Sequence, residues 1–311
     1  MNNKIKKINL NHSFIFFLFC NIFSLIILKI DNLILSPLLC LFFILSIGVS
    51  HGSLDHIKGK KLLKILELKN IYIFYLIYIL IASIVIVLWS IIPSVLLIIF
   101  LVVASFHFGK EDTHFLISEN SYYYQFLFFL KGLLVILAPM YFHFGDTILI
   151  FKLLLIDNEF FYKTLNFIEM NNLILLGILL STLSNVILFT NKFDLKKFTI
   201  FLDYFSILII NYYFSPLIAF TIYFCFLHSI RHSITLMHEL DKDNLKNGLK
   251  IFIKKSIPLT VVTAFFCLIG LYLLNNSYNL DSSILKIIFI GLASLTFPHI
   301  LLEYLIEKNE K

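Results

Sequence analysis

The sequence predicts an all-α fold, a polytopic transmembrane helical bundle of about 8–10 spans with a cytoplasmic N-terminus. Three observations predict it. Of 311 residues, 59% are hydrophobic and only 14% are charged, with a mean hydropathy of +0.93. A soluble domain is about one-quarter charged, and a disordered chain needs low hydrophobicity with high net charge, so both are excluded. Apolar runs approaching the roughly 20 residues of a membrane span recur along the whole chain and leave no room for a sizeable soluble domain. The basic residues, finally, gather on one side of the resulting map.

The runs lie at about 13–30, 33–50, 71–91, 93–108, 122–142, 172–190, 198–214, 216–237, 256–275 and 284–303. The first follows Lys4, Lys6 and Lys7 and resembles a secretory leader. No small-residue cleavage site follows it, so it reads as a retained helix. Segment 146–168 carries Asp146, Asp157, Glu159 and Lys163 and reads as interfacial. Ten crossings that start inside place the lysines of segments 4–7, 58–69, 192–197, 242–255 and 308–311, with Lys110, on the inner face. Lys29, Lys152, Lys163 and Lys286 fall outside, and Lys131 and Arg231 fall within spans. That asymmetry supports both the span count and the orientation. It also assigns the net charge of +6 to membrane orientation rather than to nucleic acid. The chain reads as a single integral membrane domain, 1–311, in the cell (cytoplasmic) membrane. Cys20, Cys40, Cys225 and Cys267 all lie in apolar runs and form no CxxC pair, so they read as small buried residues.

This map places most histidines at one depth. His51 and His56 close the second run, His107 closes the fourth, His228 and His232 lie in the inner half of the eighth, and His299 lies in that of the tenth. Ionisable groups inside spans are costly and usually face the bundle interior, so these histidines are expected to converge. The strongest local signal is His228-Ser-Ile-Arg-His232, whose imidazoles share a helix face one turn apart. An all-imidazole site suits Fe, Zn, Cu or Ni and disfavours Mg or Ca. Interhelical hydrogen bonding and a proton path are the other readings of the same pattern.

Flanking residues suggest a supporting layer. Asp55 follows His51 by four residues, and Asp112 ends the stretch His107-Phe-Gly-Lys-Glu-Asp112. Either carboxylate can orient a metal-bound imidazole, and either can equally be solvated or paired with lysine. Gly52 and Gly109 allow a tight turn or a close helix approach. Arg231, the only arginine, either binds a carboxylate in the core or snorkels to the surface. Pro298 frees a carbonyl near Ser294 and kinks its helix, which aims His299 at the site as a ligand or as part of its surroundings. Tyr223, Phe224 and Phe226 either line a channel for a flat conjugated molecule or simply pack.

Four motifs stand in order: His51-Gly-Ser-Leu-Asp55, His107-Phe-Gly-Lys-Glu-Asp112, His228-Ser-Ile-Arg-His232 and Phe297-Pro-His299. Together with Tyr223-Phe-Cys-Phe-Leu-His228, this set resembles the Brp/Blh family of β-carotene 15,15′-dioxygenases over roughly residues 45–305. The helix at about 13–30 is an addition to that bundle. The resemblance implies cleavage of β-carotene by O2 at the central double bond to two all-trans-retinal molecules, with a functional link to a microbial rhodopsin. It also implies Fe(2+) held by His51, His107, His228 and His232. His56 departs from the family's pattern and competes as a ligand. The expected surroundings are Asp55, His56, Asp112, Tyr223, Arg231 and His299. Beyond the substrates, the expected partner is the lipid bilayer, with no nucleic acid. The alternatives are a membrane metal or proton transporter and a non-catalytic assembly factor for retinal and opsin. A di-iron desaturase is disfavoured, because one HxxxH and no HxxHH cannot feed two metals.

Overall fold

The computed structural model describes residues 3–27, 36–50, 52–117, 119, 121–191 and 194–309. Among these there is helix and turn but no strand. Helix α1 (Asn3–Ile27) starts before the apolar run and carries the first lysines on its opening turns. Helix α2 (Pro37–Phe43) opens with Ser36 accepting the Leu38 amide and with Pro37 at the first helical position, where a missing N–H costs nothing. It runs into a π-helical turn, Ile44–Gly48, and a 3-10 turn, Gly52–Leu54, leads into α3 (Asp55–Ile65). His51, between these turns in sequence, lies outside the described residues.

The chain continues through α4 (Ile71–Ile91), α5 (Pro93–His114) and α6 (Tyr122–Phe142). The charged segment forms two short helices, α7 (Phe144–Leu153) and α8 (Glu159–Met170), neither long enough to span. Next come α9 (Leu173–Thr190), α10 (Thr199–Tyr213) and α11 (Pro216–Ile222). Helix α11 passes through a second π-helical turn, Tyr223–Ser229, into α12 (Ile230–Leu240). Helices α13 (Leu245–Leu274) and α14 (Leu280–Asn309) complete the bundle.

Among the described residues, nine helical segments are long and apolar enough to cross a membrane. The chain is thus built as a multi-pass membrane protein. The tenth expected run is α10, whose 15 residues extend about 22 Å, against a hydrocarbon core of about 30 Å. It packs along α1 and against α6. Burial sorts the layers. The apolar window of Pro216–Leu240 is 78% buried, whereas those of α4 and α13 are 6% and 0% buried. The former is the centre of the bundle and the latter two are outer walls. Lys58 pairs with Glu303 at 2.7 Å and Lys110 with Glu307 at 2.6 Å. These pairs tie α3, α5 and the end of α14 together at the lysine-rich face. All four cysteines are free, three of them buried.

The tightest helix contact is α5 on α6. A Cβ at Gly109 would fall on the Phe128 carbonyl, and one at Gly132 on the Ser105 carbonyl, so the backbones touch reciprocally through two glycines. Gly52, by contrast, has open space around it. Gly109→Ala is expected to force the two helices apart at a cost of about 1–3 kcal/mol. Thermal unfolding in detergent checks this against Gly145→Ala, where nothing lies within 4 Å of the added carbon and no loss is expected.

Candidate metal centre

The two π-helical turns pack against each other. Ser229 Oγ donates to the Gly48 carbonyl at 3.2 Å, and a Cβ at Gly48 would approach Phe224 Cε1 to 2.6 Å. Each π turn adds a residue to its helical turn and re-aims the side chains around it, a feature frequent at functional sites. The backbone at Gly48 is thereby docked on the turn that holds His228.

Four histidines from three helices meet beside this contact. His107 of α5 has its ring centroid 5.2 Å from His228 and 5.3 Å from His299 of α14. His232 of α12 lies 5.9 Å from His299. All four are buried. Three of them have Nδ1 on a carboxylate: His228 on Asp112 at 3.1 Å, His232 on Glu111 at 3.1 Å and His299 on Asp55 at 2.9 Å. An ionised carboxylate only accepts, so each Nδ1 carries the hydrogen and donates it. Nε2 is then the ring nitrogen left to bind a metal. Metal-binding imidazoles are commonly held in this way, and the donor set therefore fits a transition metal.

The carboxylates are themselves tied down. Asp112 accepts from Tyr223 Oη at 2.6 Å and Asp55 from Tyr78 Oη at 2.9 Å. Tyr78 also reaches the Leu295 carbonyl at 3.3 Å, next to the one that Pro298 frees. Arg231 does not snorkel. It is 2% exposed, and its fork grips Asp203 at 2.8 and 3.1 Å. It also donates to the Asp112 carbonyl at 2.9 Å and to Ser13 Oγ at 2.6 Å.

The cluster opens onto a cavity of about 310 Å³. His107, His228 and His299 line it, with Asp55 and His56, and Phe74, Tyr75, Phe108, Phe224 and Phe266 supply aromatic walls. A second cavity of about 490 Å³ shares Val49, Thr263, Phe266, Leu292 and Leu295 with the first. The two lie side by side, with walls from α4, α13 and α14. Phe224 lies against His228 with centroids 5.9 Å apart and planes 16° from parallel.

Several expected residues take different positions. Asp55 serves His299, and Asp112 serves His228 rather than the neighbouring His107. Tyr223 does not line the first cavity; it is 1% exposed and holds Asp112. Phe226 turns to a separate cavity of about 580 Å³ beside α1, where His12 Nε2 bonds its carbonyl at 2.8 Å. His56 bonds the Ser53 carbonyl at 2.9 Å and lines the first cavity. Sequence reasoning missed Glu303, Glu111, Lys58 and Tyr78. Glu303 had a signal, because it follows His299 by four residues and so shares its helix face.

Residues 42–307 match the sequence profile of the family Beta-carotene 15,15′-dioxygenase. The chain belongs to this β-carotene 15,15′-dioxygenase family. A curated relative, the β-carotene 15,15′-dioxygenase of an uncultured marine bacterium 66A03, is 27% identical over 278 residues. The alignment covers 84% of this chain and 90% of the relative. No solved structure matches. The protein is a carotenoid-cleaving dioxygenase, which sets aside the transporter and assembly-factor readings. In this dioxygenase, every helix that contributes a ring to the cluster lies within the matched segment, and α1 lies outside it.

Proposed function

We propose that this dioxygenase splits β-carotene at its central 15,15′ double bond with O2, giving two molecules of all-trans-retinal, within the cytoplasmic membrane. We assign iron(II) as the cofactor, held by His51, His107, His228 and His232. The observation that carries this reading is the convergence of carboxylate-oriented imidazoles on the wall of an apolar cavity rich in aromatic residues.

Iron(II) would supply the redox chemistry with dioxygen. The chain's own residues do the rest. Asp112 and Glu111 hold the His228 and His232 rings in the tautomer that presents Nε2. β-Carotene has no polar handle, so the cavity binds it by apolar burial and aromatic contact. Its walls also exclude water, and cleavage of a C=C bond into two carbonyls by O2 requires no general acid or base. The retinal product suits a microbial rhodopsin as its consumer.

Expression in a β-carotene-producing bacterium tests the reading. The expected result is bleaching of the cells with retinal as the chromatographic product. Well-expressed protein with intact β-carotene overturns the substrate assignment.

A further inference from the structure

One carboxylate has no part in the reading above. Glu303 stands beside three of the four imidazoles, one turn beyond His299 on α14. Its Oε1 lies 3.6 Å from His299 Nε2 and 3.8 Å from His232 Nε2, and its Oε2 lies 3.7 Å from His107 Nδ1. Lys58 of α3 also holds Oε1, at 2.7 Å. The Glu303 side chain is 15% exposed and Lys58 is 20% exposed, so the pair closes the lysine-rich face of the site.

These distances exceed those of hydrogen bonds, which run about 2.7–3.2 Å between nitrogen and oxygen. The chemistry of the facing atoms is the sharper point. His299 and His232 place Nδ1 on Asp55 and Glu111, which turns Nε2 of each ring toward a Glu303 carboxylate oxygen. Donor atoms of His107, His299 and Glu303, and of Glu111, His232 and Glu303, fall within 4.8 Å of one another, close enough to share one ion. A shared proton would draw nitrogen and oxygen to roughly 2.7–2.9 Å. A metal ion with bonds of about 2.1 Å holds its donors up to about 4.2 Å apart, and the observed separations lie within that reach.

We propose that Glu303 is itself a ligand of the metal centre, an oxygen donor among the imidazoles, and that Lys58 positions it. The proposal rests on the metal reading above and adds to its ligand set. A mixed imidazole and carboxylate donor set is the type that mononuclear non-haem iron(II) oxygenases use while keeping positions open. It also lowers the net charge of the site relative to an all-imidazole set.

The test is cobalt(II) binding to the purified full-length chain in detergent, after chelation, read by the visible absorption bands that report donor type and number. Wild type is expected to take up about one cobalt ion per chain. Glu303→Gln keeps the shape and an acceptor for Lys58 but removes the anionic donor. It is expected to weaken cobalt binding by roughly 10–100-fold or more and to shift the bands. Wild-type affinity and an unchanged spectrum in Glu303→Gln, with binding lost in His228→Ala, overturn the proposal and leave the metal reading standing. Failure of the wild-type chain to bind cobalt overturns both. Should Glu303→Gln fail to fold, infrared difference spectra of wild type with carboxyl-labelled glutamate decide the matter. A glutamate carboxylate band that shifts on cobalt loading supports the assignment, and its absence overturns it.

Discussion

His228→Ala and His232→Ala are each expected to abolish carotenoid cleavage while leaving folded protein. Both rings present Nε2 toward the cluster through hydrogen bonds from Nδ1 to acidic residues of α5. Loss of a supporting hydrogen bond alone costs roughly 10–100-fold in metal affinity or activity, and loss of a ligand removes more. The fold is expected to survive. Asp112 keeps the Tyr223 hydroxyl at 2.6 Å, and Glu111, with a side chain 21% exposed, retains access to water. The measurement is retinal formed per mole of monodisperse protein, with bound iron counted on the same samples. Wild-type turnover in a folded variant would sink the metal assignment at that residue.

The bundle was legible because membrane spans announce themselves by length and apolarity; each run coincides with helix, although α1, α13 and α14 start before their apolar runs because charged flanking turns are helical too. Helix α10 shows where that logic stops. An apolar run of 15 residues is a helix whether or not it crosses, and only its packing against α1 and α6 gives it a place. Convergence of the histidines was legible from shared depth, since depth follows from topology and buried ionisable groups seek one another. The pairing of carboxylates with rings was not. Asp112 lies near His107 in sequence, yet it bonds His228 because residues five apart on a helix point to different faces, and the π-helical turn Tyr223–Ser229 brings the His228 ring to that side. The π-helical turns were hidden as well. Nothing in Ile44–Gly48 or Tyr223–Ser229 marks an extra residue per turn, because the cause is tertiary: Gly48 admits the Phe224 ring. Glu303 escaped notice as one more charge near the end of a helix, although its spacing from His299 matched that of His228 and His232.

Arg231→Met is expected to be the most destabilising single change in the chain. The guanidinium is buried and makes a forked pair with Asp203, itself 3% exposed. It also ties Ser13 of α1 and the Asp112 backbone to the same point and stacks on the Phe115 ring at 4.9 Å. Removing one partner of a buried ion pair leaves an uncompensated charge and costs about 3–5 kcal/mol. Replacing both by apolar residues is far milder, because the desolvated charges go together. Arg231→Met with Asp203→Leu is therefore expected to recover much of the loss. Recovery is incomplete, since Ser13 and the Asp112 carbonyl still lose their donor. Thermal unfolding in detergent, followed by the monodisperse fraction, should rank wild type above the double variant and the double variant above Arg231→Met. Equal melting of Arg231→Met and wild type would mean that the ion pair contributes nothing to the bundle. A double variant no better than the single one would shift the effect from Asp203 to the Ser13 and Asp112 contacts. The second outcome would make α1, which lies outside the family-matched segment, a structural clamp on the helix that carries His228 and His232.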